Sequence, residues 1–336
     1  MAATVVGSSG NVEVVCQSVP VTSAKKAPVC VLGTGLIGGS LLRAAVGAGY
    51  DGWGYNRSAA GARAARADGF AVTEDLPAAL QRAADADALI VVAVPMPAVD
   101  HILSSVATFA PQCALTDVVS VKTPVAAAVH KHGLGARYVG GHPMTGTAES
   151  GWAATDPDLF RDAVWAVGVD VGTRADPWTR VARLALDCGS VVVPVVAEEH
   201  DRAVARISHL PHVLAEALAL SGASGGDLAL GLAAGSFRDG TRVASTAPDM
   251  VRAICEPNSD ALLDVLEETL TVLGAARDSL RAENSLVDLV EAGHDARQRY
   301  ESARRWEITD VRPGDHHWLE DLRAAGQRGG VITRLD

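Results

Sequence analysis

From residue 28 onward, short solid runs of apolar residues alternate with Ala-rich stretches. Runs at 29–32, 52–55, 88–94, 114–117, 137–140, 163–167 and 191–195 have the length of strands. The run at 88–94 is apolar throughout, the pattern of a strand buried on both faces of a parallel sheet. The stretches between, to about residue 48 and over 59–68, read as helices. Strands alternating with helices predict a doubly wound α/β domain. The pattern changes after about 197. Residues 198–220 read as one long helix bent at Pro211, and 261–305 is again helical, with Leu262, Leu266, Leu270 and Leu273 at helical spacing. No strand-like run recurs, so the second half is predicted to be all-helical.

These boundaries give a flexible leader (1–26), an α/β domain (27–196), a helical domain (197–308) and a tail (309–336). Long apolar helices in so small a domain are not all covered by their own chain, which predicts a homodimer through the helical domain.

Composition narrows the function. The 336 residues are 48% hydrophobic and 21% charged, enough apolar mass for two packed domains. The net charge is −11 and no Lys/Arg run occurs, which argues against a nucleic-acid partner. No apolar run reaches the roughly 18 residues of a membrane span. The five cysteines (Cys16, Cys30, Cys113, Cys188 and Cys255) are scattered and form no C-x-x-C pair. That argues against a metal centre or disulfide framework and for a reducing cytoplasm.

Gly33-Thr-Gly35-Leu36-Ile37-Gly38 forms G-x-G-x-x-G between a predicted strand and a predicted helix. In that context it marks a Rossmann-like dinucleotide site: tight turn at Gly33, close backbone approach at Gly35, helix–strand packing at Gly38, and an anion at the helix N-terminus. The second strand runs into Asn56-Arg57-Ser58, where an acid would read a ribose 2′-hydroxyl. Asn56 does not repel a 2′-phosphate and Arg57 can pair with one, or stack on adenine, so NAD and NADP both stay open. Val94 and Pro95 are expected on the nicotinamide ribose side.

Three downstream stretches carry candidate chemistry. They are Asp117-Val-Val-Ser120-Val-Lys122, His142-Pro-Met-Thr-Gly-Thr147, and Ser208-His209-Leu-Pro-His212 with Thr241-Arg242 beyond it. In these motifs and their order, the chain resembles the prephenate/arogenate dehydrogenase family of tyrosine biosynthesis over roughly residues 28–300. The resemblance implies NAD- or NADP-dependent oxidative decarboxylation of prephenate to 4-hydroxyphenylpyruvate. It implies His142 as the base for the ring hydroxyl, and Ser120 bonded to His142 or that hydroxyl. Arg242 would hold a carboxylate, with Ser208, His212 and Thr147 against the substrate. L-tyrosine, resembling the product, is a plausible feedback inhibitor in the same cleft. Many family members have an acid at the position of Ala148, where it would suit the ammonium of arogenate; here the acid is one residue later, Glu149, which favours prephenate.

The alternatives are arogenate dehydrogenase, a β-hydroxyacid dehydrogenase, and an NAD(H)-binding redox sensor that is not an enzyme. The second lacks its helical-domain Lys, because none follows Lys131. The sensor has no need of Ser120, His142 and Arg242 together. His209 is expected to be structural. Lys122, His101, His130, His132 and His200 are expected at the surface.

Overall fold

The computed structural model describes residues 26–147 and 149–335. The leader expected over 1–26 lies outside the described residues except for Lys26, whose ammonium pairs with Asp187 at 2.7 Å.

The first half alternates as predicted: β1 (Val29–Leu32), α1 (Leu36–Gly47), β2 (Gly52–Tyr55), α2 (Ala59–Ala67), β3 (Ala71–Thr73), α3 (Leu76–Ala86), β4 (Leu89–Val92), α4 (Met96–Phe109), β5 (Leu115–Asp117), α5 (Thr123–Lys131) and β6 (Tyr138–Val139). The six strands form a parallel sheet in the order β3-β2-β1-β4-β5-β6. Both β1 and β4 are buried along their whole length, as their unbroken apolar composition requires. Local chemistry sets the helix starts. Ser58 caps α2 by accepting from the Gly61 N–H, and Asp75 caps α3 by accepting from the Ala78 N–H. Strand order reverses between β1 and β4, which opens a crevice at their C-terminal ends.

A second sheet follows, built from β7 (Gly141–Pro143), β8 (Val164–Gly168) and β9 (Val191–Val195), with α6 (Ala175–Asp187) between β8 and β9. β7 runs antiparallel to β8, and β9 parallel to it.

The helical region comprises α7 (Ala197–Val204), α8 (Leu210–Ser224), α9 (Gly226–Gly231), α10 (Gly235–Thr241), α11 (Pro248–Cys255), α12 (Ser259–Glu283) and α13 (Val287–Ser302). The helix expected over 198–220 is two helices joined by a π-helical turn at Ala205–His209. Pro211 has no N–H to donate backward, so the wider turn forms just before it. The helix expected over 261–305 breaks at Asn284, which adopts a left-handed conformation (φ 51°).

The expectation that no strand recurs fails at the end of the chain. β10 (Trp306–Glu307), α14 (Trp318–Gln327) and β11 (Gly330–Val331) return to the first domain, where α14 packs on β9 and Ile332 bridges Val192. Ile308, Trp318, Leu322, Ala325 and Ile332 belong to the same buried cluster as Val29, Val31 and Trp178. Two-residue strands carry no periodicity to detect. Among the described residues, no helix is long and apolar enough to cross a membrane.

Candidate active site

The glycine turn lies between β1 and α1. Gly33 sits at φ +106°, and a Cβ there would meet the Ala93 carbonyl; a Cβ on Gly38 would meet the Gly33 carbonyl. Those two glycines are demanded by the fold. Gly35 differs, because its Cβ direction has nothing within 4 Å. As N-cap of α1 it offers no capping side chain, and the first turn, with Leu36 and Ile37, carries no acid. The free N–H groups at this helix end suit an anion, so the residues fit a dinucleotide pyrophosphate.

The cleft above the turn has a volume of about 540 Å³, with Gly33, Gly35, Asn56, Arg57, Val94 and Trp152 among its lining. Ser58 and Pro95 line it too, and among the described residues no Asp or Glu does. Asn56 is spent internally: its amide N–H donates to Thr34 Oγ1 (2.9 Å) and its Oδ1 accepts from the Ser58 N–H (2.9 Å). Arg57 is exposed and has no ion-pair partner among the described residues. Trp152 is fixed by its indole N–H, which donates to Asp68 (2.9 Å), and by the Arg43 guanidinium 4.4 Å above its ring. His101, expected at the surface, is exposed and also lines this cleft.

A second cluster lies where β5, β7 and α7 meet. His142 is the middle residue of β7, opposite Ala166 of β8. Its neighbours Gly141 and Pro143 are buried, while His142, on the opposite face, is half-buried. His142 Nδ1 lies 2.9 Å from His200 Nε2, and His200 Nδ1 lies 2.8 Å from Asp201 Oδ1. Asp201 also accepts from the backbone N–H groups of Lys122 and Thr123, both at 2.7 Å, closing the N-terminus of α5. Burial, with His200 and Lys122 close by, holds the His142 pKa well below the usual imidazole value. Burial also lowers that of His200, against the opposing pull of Asp201.

Two surface expectations fail here. His200 is 3% exposed. Lys122 is 4% exposed; its ammonium pairs with Asp117 and donates to the Gly141 carbonyl at 2.6 Å, tying β7 to the end of β5. The Lys122 ammonium is desolvated and satisfied by Asp117 rather than solvated. Of the two partners expected for Ser120, His142 or the substrate hydroxyl, no bond to His142 forms among the described residues, where His142 Nδ1 faces His200. Ser120 sits half-buried in the loop between β5 and α5. His130 is exposed, and His132, half-buried, pairs with Asp100.

From the helical side come Ser208 and His209 in the π-helical turn and His212 one turn on. His209 is 1% exposed and bonds Asn258, whose amide also donates to the Asp201 carbonyl, so its structural role holds. Burial lowers its pKa to about 4. His212 Nδ1 is buried without a hydrogen-bond partner among the described residues, an atom that calls for a ligand or water. Arg242 is exposed in a 3₁₀ turn that packs against α8. Thr147 is exposed, with its hydroxyl accepting from the Glu149 N–H.

Comparison with known proteins places this geometry. Residues 46–194 match the family model for the prephenate dehydrogenase nucleotide-binding domain, and residues 196–292 match its dimerization domain. A crystal structure from Corynebacterium glutamicum that carries a provisional prephenate dehydrogenase label is 48% identical, with TM-score 0.88, covering 92% of this chain and 99% of that one. The chain belongs to the prephenate/arogenate dehydrogenase family. A prephenate dehydrogenase from Aquifex aeolicus, solved with hydroxyphenyl propionate and NAD+, is 25% identical with TM-score 0.74, covering 83% of this chain and 99% of that one. The prephenate dehydrogenase of Bacillus subtilis is 33% identical over 152 residues, 44% of this chain, and the chain spans only 41% of that relative's length. Residues 46–194, which follow the glycine turn, thus correspond to the family's nucleotide-binding domain, and α7 through the first turns of α13 correspond to its dimerization domain.

Proposed function

We propose that the protein is a cytoplasmic prephenate dehydrogenase, which oxidises and decarboxylates prephenate to 4-hydroxyphenylpyruvate in tyrosine biosynthesis. The observation that carries this reading is His142: a neutral imidazole at the sheet edge with Nδ1 engaged and no hydrogen bond to Nε2 among the described residues. NAD or NADP, when bound, accepts the hydride from ring C4. His142 takes the hydroxyl proton as that hydride leaves, and returns it to the same oxygen when carbon dioxide departs and the ring becomes aromatic. Arg242 holds a carboxylate through charge-assisted bonds, and Ser120 bonds the hydroxyl. His212, Ser208 and Thr147 contact the rest of the substrate. Prephenate is preferred over arogenate because no acid stands at Ala148 to receive an ammonium. L-tyrosine competes for the same cleft. Two chains pair through the helical domain, and its exposed leucines support that reading.

The test is NAD(P)H absorbance over the four pairings of prephenate or arogenate with NAD+ or NADP+. Turnover with prephenate is expected. Turnover with arogenate alone would make the protein an arogenate dehydrogenase, and none with any pairing would favour a redox sensor.

A further inference from the structure

His200 lies outside the residues given a part in the reaction above, yet it is nearly fully buried and makes only two side-chain hydrogen bonds among the described residues, one to Asp201 and one to His142. The direction of each bond follows from donor inventory. Asp201 accepts from the backbone N–H groups of Lys122 and Thr123, which with His200 hold its pKa below the usual carboxylate value, and Oδ1 lies 2.8 Å from His200 Nδ1; an ionised carboxylate only accepts. His200 Nδ1 therefore carries a proton. A neutral imidazole with a proton on Nδ1 presents Nε2 as an acceptor. His142 Nδ1 must then be the donor, which leaves the His142 lone pair on Nε2.

We propose that His200 and Asp201 act as positioning residues that lock His142 into the Nδ1–H tautomer, so that Nε2 is always the basic atom. The inference rests on His142 being the base. With the pair in place, a proton arriving at Nε2 makes an imidazolium whose Nδ1–H already points at a neutral acceptor backed by a carboxylate. Without it, the ring is free to carry its proton on Nε2, which cannot then accept another. The orientation reverses if His200 is protonated, since it would then donate from both nitrogens. Four charged or titratable groups bear on this balance: Asp201 on α7, Asp117 on β5, Lys122 at the N-terminus of α5, and His209 in the π-helical turn. Lys122 opposes a second positive charge, and burial opposes it too.

Asp201 also closes the N-terminus of α5, so its replacement confounds positioning with stability. His200 avoids that problem. The informative pair is His200→Leu, which removes the acceptor, and His200→Gln, whose Oε1 retains one. Two readouts are needed on the full-length protein. Side-chain ¹⁵N NMR of the substrate-free protein, with His142 assigned through His142→Asn, should show the proton on Nδ1 and bare Nε2. His200→Leu should lower kcat by roughly 10²-fold with little change in KM for prephenate, less than the roughly 10⁴-fold seen when a catalytic His loses a carboxylate that holds its tautomer, because the partner here is a neutral imidazole. His200→Gln should recover most of that loss.

A wild-type His142 protonated on Nε2 would overturn the proposal. So would a normal kcat in His200→Leu, or a failure of His200→Gln to recover activity while its thermal midpoint stays at the wild-type value. If His200→Leu does not fold, the NMR result and His200→Gln still decide. If prephenate is not turned over, the base reading falls, but the tautomer remains readable by NMR.

Discussion

The two halves of the chain bury their apolar residues differently. In the nucleotide-binding domain, β1 and β4 are buried throughout, and both sheet faces carry large closed clusters. In the helical region α8 and α12 each bury one residue, Ala215 and Val265, and α13 buries none. Leu263, Leu270, Leu273 and Leu280 stand between 45% and 57% exposed along α12, spaced seven, three and seven apart. A stripe at that spacing is the seam one helix presents to another. The first domain covers its apolar residues within its own chain, while the second leaves apolar side chains exposed, as the proposed pairing of two chains requires. In the proposed reading, nucleotide recognition resides in the first domain, and substrate recognition is divided, with His142 on one side and His212 and Arg242 on the other.

The sharpest way to break this contrast is to place charge on the stripe. Leu270→Asp with Leu273→Asp is expected to convert dimer to monomer in light scattering while leaving nucleotide affinity within about twofold, because an unpaired charge buried at an interface costs several kcal/mol. Persistence of the dimer would move the interface elsewhere.

Acid comes next. His142, His200 and His209 all have pKa values lowered by burial in the folded chain. Below the unfolded value of about 6.5 the unfolded chain takes up protons that the folded chain refuses, so stability falls as pH drops. His209, with its pKa near 4, alone removes on the order of 3 kcal/mol by pH 4. The thermal midpoint should fall steadily between pH 6.5 and 4, and His209→Gln should flatten that slope.

Two substitutions sharpen the division of labour. Arg242→Gln should raise KM for prephenate by roughly 10- to 100-fold, as the loss of a charge-assisted bond implies, with KM for the nucleotide unchanged. Gly35→Ala should do the reverse on a smaller scale. Its methyl meets nothing in the protein, so the fold survives, but the nucleotide loses about tenfold in affinity. A matching change in both Michaelis constants for either variant would show that the two sites are not separable.

How far these features could be read without coordinates depended on how each is encoded. The parallel sheet and its glycine turn were legible because buried strands and tight turns constrain every residue in them. β3 and β7, three residues each, were too short to carry a pattern, and β7 holds His142. The burial of His200 has little local signal, since Glu198, Glu199 and Arg202 surround it in sequence. Its helical spacing from Ala197 and Val204, at three and four residues, was the available sign of a shared face. Val204 is buried, and Ala197 half-buried. The burial of Lys122 is hidden for a related reason: a lysine gives no local sign of burial when its partner, Asp117, lies on the preceding strand. The C-terminal return of α14 onto β9 rests on contacts between residues far apart in the chain, and no local pattern encodes those.

The most direct measurement is steady-state kinetics of His142→Asn with prephenate and the preferred nucleotide. If His142 is the base, kcat falls by about 10²- to 10⁴-fold, while KM for prephenate and nucleotide affinity stay within about twofold. A kcat near the wild-type value would contradict the assignment, and with it the chemistry proposed for this cleft.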